Sequence, residues 1–153
     1  MNMNFKCKLP IPAELKERYP ASSEVQKIVN NRNEEICNII MGKQQKILLI
    51  IGPCSADNED SVIDYVCRLA KVQDKVKDKV FIVPRIYTNK PRSIGKGYKG
   101  MLHQPDPNKE PNIYKGIVAI RKMHLRVIKE TGFTCADEML YPENHRYLND
   151  LLG

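Results

Sequence analysis

Apolar residues recur along this chain in two alternating periods. Val25, Ile28, Val29, Ile36, Ile39 and Ile40 repeat at helical spacing, and Gly42 stops the run. Ser22 and Ser23, with Gln26 following, suit a capping box at its start. Before it, Pro10, Pro12 and Pro20 leave room only for a short helix over Ala13 to Arg18. Lys46 to Ile51 holds a continuous apolar run of Ile and Leu, Ile47 to Ile51, the pattern of a strand buried on both faces of a parallel sheet. Gly52-Pro53-Cys54-Ser55 breaks it. Asp57 then suits the N-cap of a helix from about Asn58 to Val76, with Val62, Val66, Leu69 and Ala70 on one face. Val80 to Val83 reads as a second strand running on to Tyr87. A helix over Ile113 to Glu130 ends at Gly132. Phe133 to Met139 reads as a third strand, and Pro142 opens a short helix through Tyr147, Leu148 and Leu151.

Between the second strand and the Ile113 helix lies a long loop, residues 88–112, rich in Pro and Gly. A loop of that length inside a compact domain is usually functional or disordered. Helices alternating with buried strands predict an α/β fold with right-handed crossovers. Three strands are few, and the last helix has just begun to repeat its apolar face. Periodicity alone therefore predicts the opening third to half of a (β/α)8 barrel, residues 46–153, preceded by an arm and helix, residues 1–45.

The remaining composition narrows the function. Lys and Arg number 25 against 18 acids, a net charge of +7. A basic excess suits nucleic acid, a membrane surface or small anionic substrates. No block of five or six basic residues occurs, and aromatics are only 7% with no Trp, so the scattered charge points to small anions and away from nucleic acid. No apolar run approaches a membrane span, and the first residues lack the apolar core of a secretory signal. Five cysteines without a CxxC pair suit reduced thiols, so a cytoplasmic protein is expected.

Three segments fall at the carboxyl ends of the three predicted strands, the edge where parallel α/β folds bind ligands. After the first strand, Cys54 stands in a tight turn, where it is a metal ligand, a nucleophile or a buried packing thiol. After the second, Arg85, Lys90 and Arg92 form R-x4-K-P-R. Arg offers a planar fork to phosphate or carboxylate, Lys a point charge, and Pro91 stiffens the backbone between them. Gly97 and Gly100 bracket Tyr98 and Lys99, where backbone N–H groups can approach an anion. On the third, Glu138 suits an acid–base group or an orienter of a lysine. His103, His124 and His145 lie far apart in sequence, and none pairs with Cys54 at a metal-binding spacing; His124 and His145 read as surface or packing residues.

Together LLIIGPCSAD (48–57), PRIYTNKPR (84–92), GYKG (97–100) and ADEML (136–140) closely resemble the class I 3-deoxy-D-arabino-heptulosonate 7-phosphate (DAHP) synthases, and LPIPAELKERYPAS resembles that family's lead-in arm. The resemblance implies a metal-dependent (β/α)8 enzyme that condenses phosphoenolpyruvate with erythrose 4-phosphate, releasing phosphate, in the first step of aromatic amino acid biosynthesis. It implies Cys54 as a ligand of a divalent metal of the Mn, Fe, Co or Zn type, a Lewis acid that would polarise the aldehyde carbonyl. Arg85 and Lys90 would hold phosphoenolpyruvate. Pro91 and Arg92 would contact erythrose 4-phosphate, and Lys99 and Glu138 would support the site. It also implies homo-oligomers with contacts through residues 1–45, and inhibition by an aromatic amino acid. The family's remaining ligands, a His, a Glu and an Asp, lie on later strands. The expectation is thus an N-terminal portion whose metal site is incomplete and which does not catalyse on its own. The alternative is an inactive truncated fragment acting as an interaction module with full-length subunits.

Overall fold

The structure, a computed structural model, describes residues 8–89, 97–98, 100–139 and 141–153. A short helix and a long one lead in. α1 (Pro12–Arg18) starts on a proline, and Glu14 reaches back to accept from the Ile11 N–H at 3.2 Å. α2 (Ser23–Ile40) is capped by Ser22, whose hydroxyl accepts from Val25 N–H at 3.3 Å. Gln26 does not complete a capping box, since its amide donates to Ala21 O instead. Gly42, at φ +71°, turns the chain out of α2.

The α/β unit follows as β1 (Ile47–Ile51), α3 (Glu59–Val76), β2 (Val80–Pro84) and α4 (Ile113–Thr131). β1 and β2 pair in parallel, Ile47 opposite Val80 through Ile51 opposite Pro84. α3 is capped one residue later than the sequence suggests: Asn58, not Asp57, accepts from Ser61 N–H at 2.9 Å. α4 is capped by Asn112 and closed by Gly132 in the left-handed region, and it supplies much of the core through Ile117, Ile120, Met123, Val127 and Ile128. Beyond it the chain forms a 3₁₀ turn, Pro142–Tyr147, rather than an α-helix, and Leu148 and Leu151 are buried just after it.

Two expectations about the strands need correction. The first concerns Phe133 to Met139, which is not a ladder strand. Among the described residues the sheet has two strands, and this segment makes only single parallel bridges, Arg85 with Ala136 and Cys135 with Leu152. The reason lies in the facing edge of β2. Pro84 has no N–H to give to a further rung. The Ile82 carbonyl accepts from Arg32 Nη2 at 2.6 Å. Gln73 bonds Ile82 N–H and Val80 O at 2.6 and 2.8 Å. Side chains from α2 and α3 thus satisfy the groups that a third strand would use. Pairing resumes only past the proline, where Ala136 exchanges bonds with Pro84 O and Ile86 N–H.

The second concerns burial. β2 is enclosed, with Phe81, Ile82 and Val83 at 5% exposure or less. β1 is not buried on both faces: Ile47, Leu49, Ile50 and Ile51 are 38–66% exposed. It has one neighbour in the sheet, and α3 packs mainly over β2.

Two arginines, Arg32 half-buried and Arg121 fully buried, lock the layers. The Arg32 guanidinium lies 4.3 Å from the Phe81 ring centre and 4.7 Å from that of Phe133. Burial lowers its pKa to about 10, against the opposing pull of Cys135 and Glu35. Arg121, fully enclosed, forks onto both Asp150 oxygens at 2.8 Å and also donates to Tyr19 O and Tyr147 O, joining α4 to the end of α1 and to the last turns.

Burial raises the Asp150 pKa, but the Arg121 bonds and charge, with Lys16 behind them, leave it below the ordinary carboxylate value. A depressed folded pKa stabilises above the unfolded value of about 3.9 and is lost as pH falls through the folded one. Asp150→Ala strands a buried guanidinium, so we expect it to cost roughly 3–5 kcal/mol in urea unfolding at pH 7, with a smaller difference from the parent once the pH has fallen through the depressed carboxylate pKa. A pH-independent difference would refute the coupling.

Candidate functional site at the carboxyl edge

The parallel register sends the chain out of β1 and β2 at the same edge. Gly52 leaves β1 pressed against the Arg85 backbone, and a Cβ built on it would stand 1.7 Å from Arg85 O. This is the position in the Gly-Pro-Cys turn where glycine is required. Ala56 N–H then bonds Tyr87 O at 2.8 Å, closing the turn over the β2 exit. Cys54 is exposed between these two anchors.

Arg85 is half-buried. Its Nη2 donates to Pro53 O at 3.0 Å, and its guanidinium lies over the Tyr87 ring, 4.9 Å from the centre. Fixed by one N–H and one face, the planar fork keeps a set orientation. The Tyr87 hydroxyl is held above its usual pKa, first by burial, then by the charge of Glu138, to which it is also hydrogen-bonded; Arg85 opposes this and Cys54 adds to it. Arg85, Glu138 and Cys54 thus all bear on Tyr87 at one edge, although the three segments come from residues 54, 85–87 and 138. Tyr87 is absent from the sequence-based site. Its signals in the sequence are its place inside PRIYTNKPR and its alternation with Arg85 on the strand's continuation.

Lys90, Pro91, Arg92 and Lys99 lie outside the described residues. Their neighbours show how the loop is anchored. Leu102 N–H returns to Thr88 O at 3.0 Å, and Gly116 of α4 packs so tightly on Leu102 O that a Cβ would stand 1.8 Å from it. Gly97 and Gly100 have φ of +88° and +96°. Burial, then the charge of Asp57, pushes Tyr98 up to about 12.

The other cysteines separate by environment. Cys135 is buried, which pushes its thiol pKa well up and makes it a packing residue; Cys37 is exposed, Cys67 half-buried, and Cys7 lies outside the described residues. The fit to a metal is partial. Among the described residues no group of three or more His, Cys, Asp or Glu side chains could hold one. Cys54 offers one thiolate where such centres need three or four ligands, so these residues do not by themselves compose a metal centre. His124 is fully buried in α4, as a packing role requires, but beside a carboxylate. No helix of the described residues is long and apolar enough to cross a membrane.

Known proteins give the same fold and order. A structure of phospho-2-dehydro-3-deoxyheptonate aldolase from Francisella tularensis SCHU S4 superposes with a TM-score of 0.89 at 28% identity, over 99% of this chain and 44% of that one. The Haemophilus influenzae aldolase of the same name is 36% identical over 93% of this chain and 39% of its own length. A phenylalanine-inhibited relative from Saccharomyces cerevisiae is 31% identical and a Trp-sensitive one from Escherichia coli O157:H7 34% identical, over 37% and 41% of their lengths. The chain thus spans about two fifths of the relatives it matches. The profile of the DAHP synthetase I family matches residues 16–153, and this places the chain in the DAHP synthetase I family.

Proposed function

We propose that this chain contributes the first part of a (β/α)8 DAHP synthase, which condenses phosphoenolpyruvate with erythrose 4-phosphate and releases phosphate. The observation that carries this reading is the convergence of Cys54, Arg85, Tyr87 and Glu138 at one edge of a parallel sheet. In this reading Arg85 holds phosphoenolpyruvate through its oriented fork, and Lys90 adds a point charge. Pro91 and Arg92 meet erythrose 4-phosphate, Arg92 at its phosphate. Lys99 supports the anion cradle, and Glu138 keeps Tyr87 and its surroundings in place. Cys54 supplies one ligand to a divalent metal, and the other ligands come from strands that this chain does not contain.

The exposed apolar surface of β1 supports the same view. An edge strand with Ile47, Ile50 and Ile51 open is a docking edge for further strands. It equally favours the second reading, an interaction module that pairs with full-length subunits. Residues 1–45 would serve subunit contacts and binding of an aromatic amino acid inhibitor, by analogy with the phenylalanine inhibition named for the yeast relative and the Trp sensitivity named for the Escherichia coli one.

Co-expression with a fragment carrying the later strands of a relative separates these readings. We expect a soluble complex with divalent-metal-dependent phosphate release, and no turnover by the chain alone. A complex without turnover favours the module. In an active complex, Cys54→Ala should lower metal affinity, measured by titration; unchanged affinity and rate would make the thiol a packing residue.

Lys90→Ala should act differently. Metal binding should persist while the KM for phosphoenolpyruvate rises, by the roughly 1.5–3 kcal/mol of one charge-assisted contact. An unchanged KM would remove Lys90 from the substrate site.

A further inference from the structure

Behind the exposed cluster lies an enclosed polar array that the motifs do not explain. The Asp137 side chain is 0% exposed. Its Oδ1 accepts from Thr88 N–H at 3.1 Å and from Glu138 N–H at 2.8 Å, and its Oδ2 accepts from the Thr88 hydroxyl. From α4, His124 faces the same carboxylate. Its ring is also fully enclosed, Nε2 lies 4.0 Å from Oδ2, and neither ring nitrogen has a hydrogen-bond partner. An enclosed carboxylate is costly unless donors and charge compensate it, so an aspartate here needs a reason.

The ladder supplies that reason. Ala136 pairs with Arg85, bonding Pro84 O and Ile86 N–H. In a parallel ladder the next rung would use the N–H groups of Glu138 and Thr88. Those are the two amides that Asp137 Oδ1 takes. One side chain therefore stands in for the missing rung, at the point where both segments reach the site. Thr88 follows Tyr87 and stands two residues before Lys90 in sequence. Glu138 is the carboxylate that meets the Tyr87 hydroxyl.

We propose that Asp137 is a positioning residue: its carboxylate replaces a backbone rung between the ends of β2 and the 133–139 segment, with His124 as its enclosed partner, and so sets Glu138 against Tyr87 and the start of the basic loop. The proposal rests on the reading of that edge as a substrate site, but its geometry stands without turnover. A packing aspartate would stabilise the whole chain. A rung substitute governs two particular amides.

The test uses the full 153-residue chain, labelled with ¹⁵N and ¹³C. In the parent, the Thr88 and Glu138 amides should show through-hydrogen-bond coupling to the Asp137 carboxylate carbon. Absence of both couplings overturns the proposal, whatever the variants do. In Asp137→Ala, hydrogen exchange at Thr88 and Glu138 should quicken at least tenfold while Val127 in α4 keeps its rate. Asp137→Asn, which retains an oxygen acceptor, should restore most of that protection. Equal acceleration at Val127, or no local change, overturns the positioning role. The His124 ring ¹⁵N shifts should move in Asp137→Ala; unmoved shifts remove His124 from the array. Substrate, metal and turnover enter none of these readouts. A failed reconstitution therefore leaves this result standing, and a failed exchange result leaves the synthase reading to its own test.

Discussion

The parallel pairing of β1 with β2 is the constraint on which the rest depends. Its register puts Ile51 beside Pro84, so the turns after both strands open at one edge. The contact is close enough that Gly52 must lack a side chain against the Arg85 carbonyl. From that approach follow the Arg85 bond to Pro53, the stacking of Arg85 on Tyr87, and the bond from Ala56 back to Tyr87. A shift of one residue would reverse the faces of β2 and separate Cys54 from Arg85.

The second edge of β2 is handled differently. There the structure uses side chains where a sheet would use backbone. Gln73 and Arg32 satisfy its amino-terminal half, a proline silences its end, and Asp137 takes the amides beyond it. Each device meets the same requirement, that buried backbone groups find partners. Arg32 also lies against Phe81 and Phe133, so one guanidinium both bonds the strand and fills the layer beneath it. The site thereby combines a rigid backbone junction on one side with a polar, side-chain junction on the other.

Enclosed charge recurs through this design. Arg121 joins α1, α4 and the final turns through a bidentate pair and two carbonyls. Groups of this kind are held by geometry as much as by energy, since a misplaced partner leaves an uncompensated charge. They suit a fold whose apolar core is uneven: dense around α4 and β2, open along β1.

The sequence by itself determined the order of elements, the helix stops at Gly42 and Gly132, and the placing of three chemistry-bearing segments after strand-like runs. These are local properties, written in apolar period and turn residues. The motif resemblance, confirmed by family membership, is legible for the same reason: GPCS, KPR and GYKG are contiguous. The burial of β1, the loss of a third ladder strand and the shift of a cap from Asp57 to Asn58 were decided elsewhere. Burial depends on which layers cover a strand, and ladder length on what the neighbouring edge has left to offer. Arg32, Gln73 and Pro84 look unremarkable in sequence, and only their meeting on one strand edge shows why pairing stops. Tyr87 and Asp137 lie inside the PRIYTNKPR and ADEML stretches without a role assigned by them, and His124 lies in none; 37 residues separate Tyr87 from His124, and only the packing of α4 behind the two segment ends brings that histidine to the aspartate beneath the site.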